Sequence, residues 1–220
     1  STQSRSSAAS DVYKRQKLDN YLKIIFDSKI DCIQLRFKNL KTIDLYNLGK
    51  DLKKDCVRFK KTLIVNDRVD IAKSINAHGA HVGMDDLPYN QARKILGKKS
   101  IIGVSASNKV EFAKVKKLKG VSYIGVSAFS SNTKQEMKNY FGLGGLKNCA
   151  KATKIPLIAI GGIKVNDVNN ILKLKIHGVA MISSLLKGNI KDNCSQVSKI
   201  IKSCEKISSD IKHQMGVDLI

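Results

Sequence analysis

The sequence predicts an α/β fold, a (β/α)8 TIM barrel that lacks its first strand. Three observations carry this. Seven apolar runs of strand length, rich in Ile and Val, recur along the chain; helical patterns separate them; and a helix, rather than a strand, comes first. Continuous hydrophobic strands alternating with helices belong to a buried parallel sheet, because the crossover helices cover it. Seven strands behind an opening helix fit an eight-stranded barrel short of strand one. An open doubly wound sheet is the alternative, weakened because no Gly-x-Gly-x-x-Gly follows the first strand.

In chain order, the opening helix is "LDNYLKIIFDSK", followed by the strand "DCIQLR" (31–36) and the helix "IDLYNLGKDLKKDC". The strands "TLIVND" (62–67), "AHVGM" (80–84), "SIIGVS" (100–105) and "SYIGVSAF" (122–129) follow. "PLIAIGGI" (156–163), the helix "VNDVNNILKLK" and "GVAMISS" (178–184) complete the pattern.

At 220 residues and 42% hydrophobic content the chain can bury one large core. The domain is placed at residues 17–207, with 208–220 as a C-terminal tail. Residues 1–16, "STQSRSSAASDVYKRQ", are polar and aperiodic. One choice of codons for "SSAASDVYKRQ" spells a common sequencing-library adaptor, so this segment is read as non-native and disordered and is set outside the fold. The missing strand would fall where it begins. No apolar run approaches a membrane span and no secretion signal is visible, which predicts a soluble, cytoplasmic protein without a membrane partner. The five cysteines are scattered and form no CxxC pair, so reduced structural thiols are expected.

A net charge of +22 invites a nucleic-acid reading, but its distribution argues against one. Lysine pairs recur on almost every helical segment ("DLKKD", "ARKILGKK", "VKKLK") instead of gathering on one arm, and aromatic residues are sparse. A solvated lysine coat is the expectation, with no nucleic-acid partner.

In a barrel of this kind the functional groups sit at the C-terminal ends of the strands. Those ends supply Gln34, Arg36 and Lys38; Asn66 and Asp67; Asp85 and Asp86; Ser105; Ser131, Thr133 and Lys134; Gly161 and Gly162; and Ser183 and Ser184. Taken singly, each has an ordinary explanation. The adjacent acids of "HVGMDDLP" suit a helix N-terminus, where Asp caps free amides. Taken together, the rim suggests two phosphate subsites. Glycine-rich turns after the last two strands lead into helices, the usual phosphate cradle of this fold. Arg36, Lys38 and Lys134 beside Asp67 and Asp86 suit a Mg²⁺-bound diphosphate, since the hard ion takes carboxylate and substrate oxygens while the cations neutralise the rest.

The motifs "QLRFK", "VNDRVDIA", "GAHVGMDDLP", "IIGVS", "NTK", "IAIGGI" and "GVAMIS" resemble, in order and approximate spacing, those of the thiamine-phosphate synthase family, also called thiamine-phosphate pyrophosphorylase. The similarity spans roughly residues 18 to 205. It implies a transferase of thiamine biosynthesis that joins a hydroxymethylpyrimidine diphosphate to a thiazole phosphate and releases pyrophosphate, with Mg²⁺ as cofactor. Carried over by motif, Gln34, Arg36, Lys38 and Asn66 bind the pyrimidine diphosphate, and Asp67 and Asp86 hold the metal, leaving Asp85 to cap the helix. Ser105 contacts the pyrimidine near the reacting carbon and Lys134 the diphosphate. Ser131, Asn132 and Thr133 line the thiazole side, and Gly162, Ile182 and Ser183 meet the thiazole phosphate. Arg36, Lys38, Ser105 and Lys134 would be the catalytic set. The implied partners are small molecules, and self-association into a homo-oligomer is left open.

Two departures stand out. Phe37 replaces the Glu usual in "QLREK", and "GVSAFSSNTK" lacks the Gly-Pro and Pro-Thr features of that loop. Two rivals are a thiazole tautomerase of the same fold, which would need a histidine where this chain has "SASNKV", and a non-catalytic phosphate-ester binder. His78 and His81 lie at another strand, where packing or solvation is the expected role.

Overall fold

A computed structural model of the chain describes residues 19–129 and 140–214, with side chains up to residue 203. Its seven strands are β1 (Cys32–Leu35), β2 (Thr62–Asn66), β3 (Gly79–Val82), β4 (Ile101–Ala106), β5 (Tyr123–Ser127), β6 (Leu157–Ile160) and β7 (Gly178–Ala180). They lie in chain order in one sheet, and every neighbouring pair is parallel. All seven fall within a residue of the predicted runs at their starts and one to four residues short at most of their ends. Where the strands stop short, the residues closing the runs, among them Arg36, Asp67, Gly83 and Gly161, lie beyond the paired ladder.

The helices are α1 (residues 19–27), α2 (Thr42–Arg58), α3 (Val69–Ser74), α4 (Tyr89–Leu96), α5 (Lys109–Val115), α6 (Gly142–Ala152), α7 (Val168–Leu172), α8 (Ser183–Leu186) and α9 (Ile190–Gln214). A 3₁₀ turn, Val165–Asp167, leads into α7. Helix α9 continues to Gln214, past the expected end of the domain at residue 207.

Alternation along each strand sends one set of side chains to the helices and the other to the interior. Leu63, Val65, Ala80, Ile102, Ile124, Val126 and Ala159 form the helix-facing core, each 0% exposed. Burying a residue of Leu or Ile size contributes about 1.5–3 kcal/mol. Helix α2 meets this layer through Leu45, Gly49, Leu52 and Cys56, spaced by three and four. A methyl on Gly49 would lie 2.8 Å from Ile75 Cδ1 and 3.1 Å from Leu35 Cδ2, so glycine sets how closely α2 approaches the sheet.

The sheet is curled. Across its interior, His81 of β3 reaches past β4 to within 3.0 Å of the Tyr123 hydroxyl on β5. Among the described residues β1 pairs only with β2 and β7 only with β6, so the curl is that of a TIM-like barrel short of a strand, without closure. Among the described cysteines, Cys56, Cys149 and Cys194 are free and buried and Cys32 is free and exposed. No helix among the described residues is long and apolar enough to cross a membrane.

Lys61 departs from the solvated lysine coat. It is 8% exposed, and its ammonium donates to the Ser28 (2.8 Å) and Ile30 (2.6 Å) carbonyls. Together with the Thr62 N–H on the Asp31 carbonyl (2.9 Å), this fastens the chain entering β1 to the start of β2. Lys61→Ala leaves two acceptors without their charged donor and should cost about 2–3 kcal/mol. Urea unfolding checks this; an unchanged midpoint would mean that water replaces the ammonium.

Candidate active site

The site gathers where β1 to β4 end. Gln34 and Asn66 belong to the interior-facing set, and Arg36 and Lys38 follow β1 as exposed cations. After β2 the chain turns sharply: Arg68 N–H donates to the Asn66 carbonyl (2.7 Å) and Val69 N–H to the Asp67 carbonyl (3.2 Å). Asp67 occupies the left-handed region at φ 63°, which Asp tolerates better than most residues. Its N–H donates to the His81 carbonyl of β3 at 2.8 Å, fixing the turn to the neighbouring strand.

Asp86 folds back over the end of β3, where its Oδ2 accepts the Gly83 N–H at 2.7 Å. A Cβ on Gly83 would stand 3.1 Å from that oxygen, so glycine leaves the carboxylate room. The expected capping role of Asp85 is not found. Helix α4 begins at Tyr89 behind Pro88 and has no side-chain cap, because "LP" carries the chain several residues beyond the acids before it turns helical. Helix α5 shows a cap of the expected kind, with Asn108 Oδ1 accepting the Glu111 N–H at 2.9 Å.

Asp67 and Asp86 thus meet from two loops, close enough for Asp86 to raise the proton affinity of Asp67. Burial, then Asp86, push the Asp67 carboxyl up to about 6, while Arg36 and Lys38 pull the other way. Two carboxylates held together at a cost in repulsion fit a hard divalent cation. Among the described residues no cluster of three or more His, Cys, Asp or Glu side chains could hold a metal. A pair of carboxylates is a donor set that Mg²⁺ can use, since it typically takes one or two carboxylates and completes its shell with water and substrate phosphates.

Ser105 lies near the end of β4. Its hydroxyl is 2.8 Å from His81 Nε2, and His81 Nδ1 is 3.0 Å from the Tyr123 hydroxyl. His81 is 4% exposed, so the packing role expected for it holds, and its ring also meets a candidate site hydroxyl. The sequence offered no signal for this contact, which follows from the register that sets His81 opposite Gly103.

On the opposite side of the rim, Gly161 (φ 91°) and Gly162 (φ 60°) turn the chain out of β6 through conformations that glycine adopts without strain. Ile182 and Ser183, both exposed, open α8 after β7. The Ser184 hydroxyl donates to the Ile163 carbonyl at 2.5 Å and ties the two turns together. Gly162, Ile182 and Ser183 therefore sit on adjoining loops. Ser131, Asn132, Thr133 and Lys134 lie outside the described residues.

A curled parallel sheet whose strand ends carry paired acids, flanking cations and glycine turns has the layout of an α/β enzyme with a TIM-like fold. Residues 7–185 match the family described as thiamine monophosphate synthase, and the chain belongs to that family. It is 38% identical over 190 residues to the thiamine-phosphate synthase of Clostridium tetani, covering 86% of this chain and 90% of that one. It is 40% identical over 172 residues to that of Methanococcus maripaludis strain C6, covering 77% and 82%. Among solved structures, a thiamine phosphate pyrophosphorylase from Pyrococcus furiosus superposes with a TM-score of 0.76 at 29% identity, covering 84% of this chain and 89% of that one.

Proposed function

We propose that the chain is a transferase that condenses 4-amino-5-hydroxymethyl-2-methylpyrimidine diphosphate with a thiazole phosphate, giving thiamine phosphate and pyrophosphate. The observation that carries this reading is the Asp67–Asp86 pair facing the charges of Arg36 and Lys38. Family membership and the Pyrococcus structure support it.

The pyrimidine CH2–O bond breaks with its electron pair leaving on the diphosphate, and the thiazole nitrogen then forms the new C–N bond. Arg36 and Lys38, with Lys134 by motif, take up the charge that grows on the departing diphosphate. Asp67 and Asp86 would hold Mg²⁺, which supplies Lewis-acid stabilisation of the diphosphate oxygens when bound. Gln34 and Asn66 orient the pyrimidine end, and Ser105 lies toward its reacting carbon. Gly162, Ile182 and Ser183 meet the thiazole phosphate, while Ser131, Asn132 and Thr133 line the thiazole side. No protein nucleophile is needed, so positioning and electrostatics carry the rate. A strand ahead of α1 would pair with both β7 and β1 and close a (β/α)8 barrel. The tautomerase alternative is not favoured, since the loop after β4 contributes Asn108 as a helix cap and no histidine.

The test is thiamine phosphate formation from the two purified substrates. Product should appear with Mg²⁺ and fall to background with EDTA. Binding of both substrates without product would favour a phosphate-ester binder, and equal rates under the two conditions would remove the metal from the reading.

A further inference from the structure

We infer that His81 and Tyr123 are positioning residues that hold the Ser105 hydroxyl through a directed hydrogen-bond relay, leaving the Ser105 proton free to face the substrate. The inference rests on the reading of Ser105 as a substrate contact. Its physical basis is a built interior. His81 on β3, Gly103 on β4 and Tyr123 on β5 share one level of the sheet, with His81 opposite Gly103 and Gly103 opposite Tyr123. Ser105 and its partner Gly125 lie one level nearer the strand ends.

The two glycines make the relay fit. A methyl on Gly103 would overlap the Tyr123 ring and lie 2.5 Å from His81 Nδ1, and one on Gly125 would lie 3.0 Å from His81 Cε1. In the space left free, the imidazole and phenol rings stack at 5.4 Å between centroids and 25° between planes.

The chemistry of the groups gives the relay a direction. Burial holds the Tyr123 hydroxyl protonated, and the hydrogen bond it makes among the described residues is to His81 Nδ1. Its proton is therefore best placed on that bond, which makes Nδ1 an acceptor. A neutral imidazole then carries its own proton on Nε2 and donates it to Ser105 Oγ. With an oxygen lone pair engaged, the serine O–H is turned toward the mouth of the sheet. The opposite tautomer would leave the phenol proton without an acceptor and aim the serine proton back at the ring.

A double-mutant cycle tests this through thiamine phosphate formation by the Mg²⁺-loaded enzyme, using Ser105→Ala, Tyr123→Phe and the pair. Tyr123→Phe should lower kcat about tenfold with little change in KM, and should be silent within about twofold when Ser105 is already alanine. An equal loss in both backgrounds, or no loss in the wild-type background, overturns the relay. Full activity of Ser105→Ala would instead sink the reading of Ser105, and the relay with it. A second measurement needs no turnover: ¹⁵N spectra of the imidazoles, with the His81 signals identified by His81→Asn. Wild-type His81 should be the Nε2–H tautomer and Tyr123→Phe a mixture; an Nδ1–H tautomer in the wild type overturns the proposal.

Discussion

Asp67→Asn should yield a protein that is more stable without metal and nearly inactive with it. The Asp67 carboxyl is pushed up to about 6 from 3.8, first by burial and then by Asp86. A folded-state value above the unfolded one means that the folded chain holds the proton more tightly. The resulting stabilisation is complete below about pH 3.8 and is lost as the pH rises through about 6. Metal-free protein should therefore weaken between pH 4 and pH 7. The full shift corresponds to about 3 kcal/mol, and because the pair borders solvent, screening reduces this to about 1 kcal/mol. Asparagine keeps the shape, tolerates the left-handed backbone and has an amide that can donate to Asp86. In EDTA, its urea midpoint at pH 7 should exceed the wild type and change little with pH. Thiamine phosphate formation should fall by about 10²–10³-fold because one of the two carboxylates proposed to hold the metal is gone. A variant that retains full Mg²⁺-dependent activity would show that Asp67 is not a ligand.

The sequence brings Asp67 and Asp86 together only through the barrel it predicts, not through either motif alone. "VND" and "MDD" each read as turn or cap residues, and the acids become one site only when β2 and β3 are neighbours in register, with Asn66 opposite His81. The strands themselves were legible because most are short apolar runs rich in Ile and Val, the pattern of a buried parallel sheet. Asp85 was misread because capping depends on where a helix starts, and the Leu87–Pro88 step delays α4 to Tyr89. His81 was read as packing because a lone histidine in an apolar strand carries no chemical signal. Its role becomes visible beside Gly103 and Gly125, residues whose importance lies in side chains they lack. Lys61 was indistinguishable from the other lysines for a similar reason, since its two carbonyl partners belong to backbone.

Gly79→Ala should be the most damaging single methyl in the sheet, while Gly178→Ala should be nearly neutral, although the two glycines occupy matching positions. Each follows a histidine that closes the base of a strand pair. His78 Nδ1 accepts the Leu63 N–H at 2.8 Å while His78 N–H donates to the Leu63 carbonyl at 3.0 Å. His177 Nδ1 accepts the Leu157 N–H at 3.1 Å while His177 N–H donates to the Leu157 carbonyl at 2.9 Å. Each glycine then opens its strand, β3 or β7. What the added methyl meets differs. On Gly79 it would collide with the Ile101 carbonyl of β4, backbone that cannot step aside without breaking the β3–β4 register. On Gly178 it would lie 3.2 Å from Ile158 Cδ1, the far end of a flexible side chain at the open edge of the sheet. The expected costs are about 4 kcal/mol or more for Gly79→Ala and under about 1 kcal/mol for Gly178→Ala. Because β3 carries His81 and leads directly to Asp86, Gly79→Ala should also lower activity in whatever fraction still folds. Thermal unfolding of the two variants side by side decides the matter. Equal losses would mean that the histidine-glycine pair, rather than the backbone of the neighbouring strand, sets the requirement for glycine.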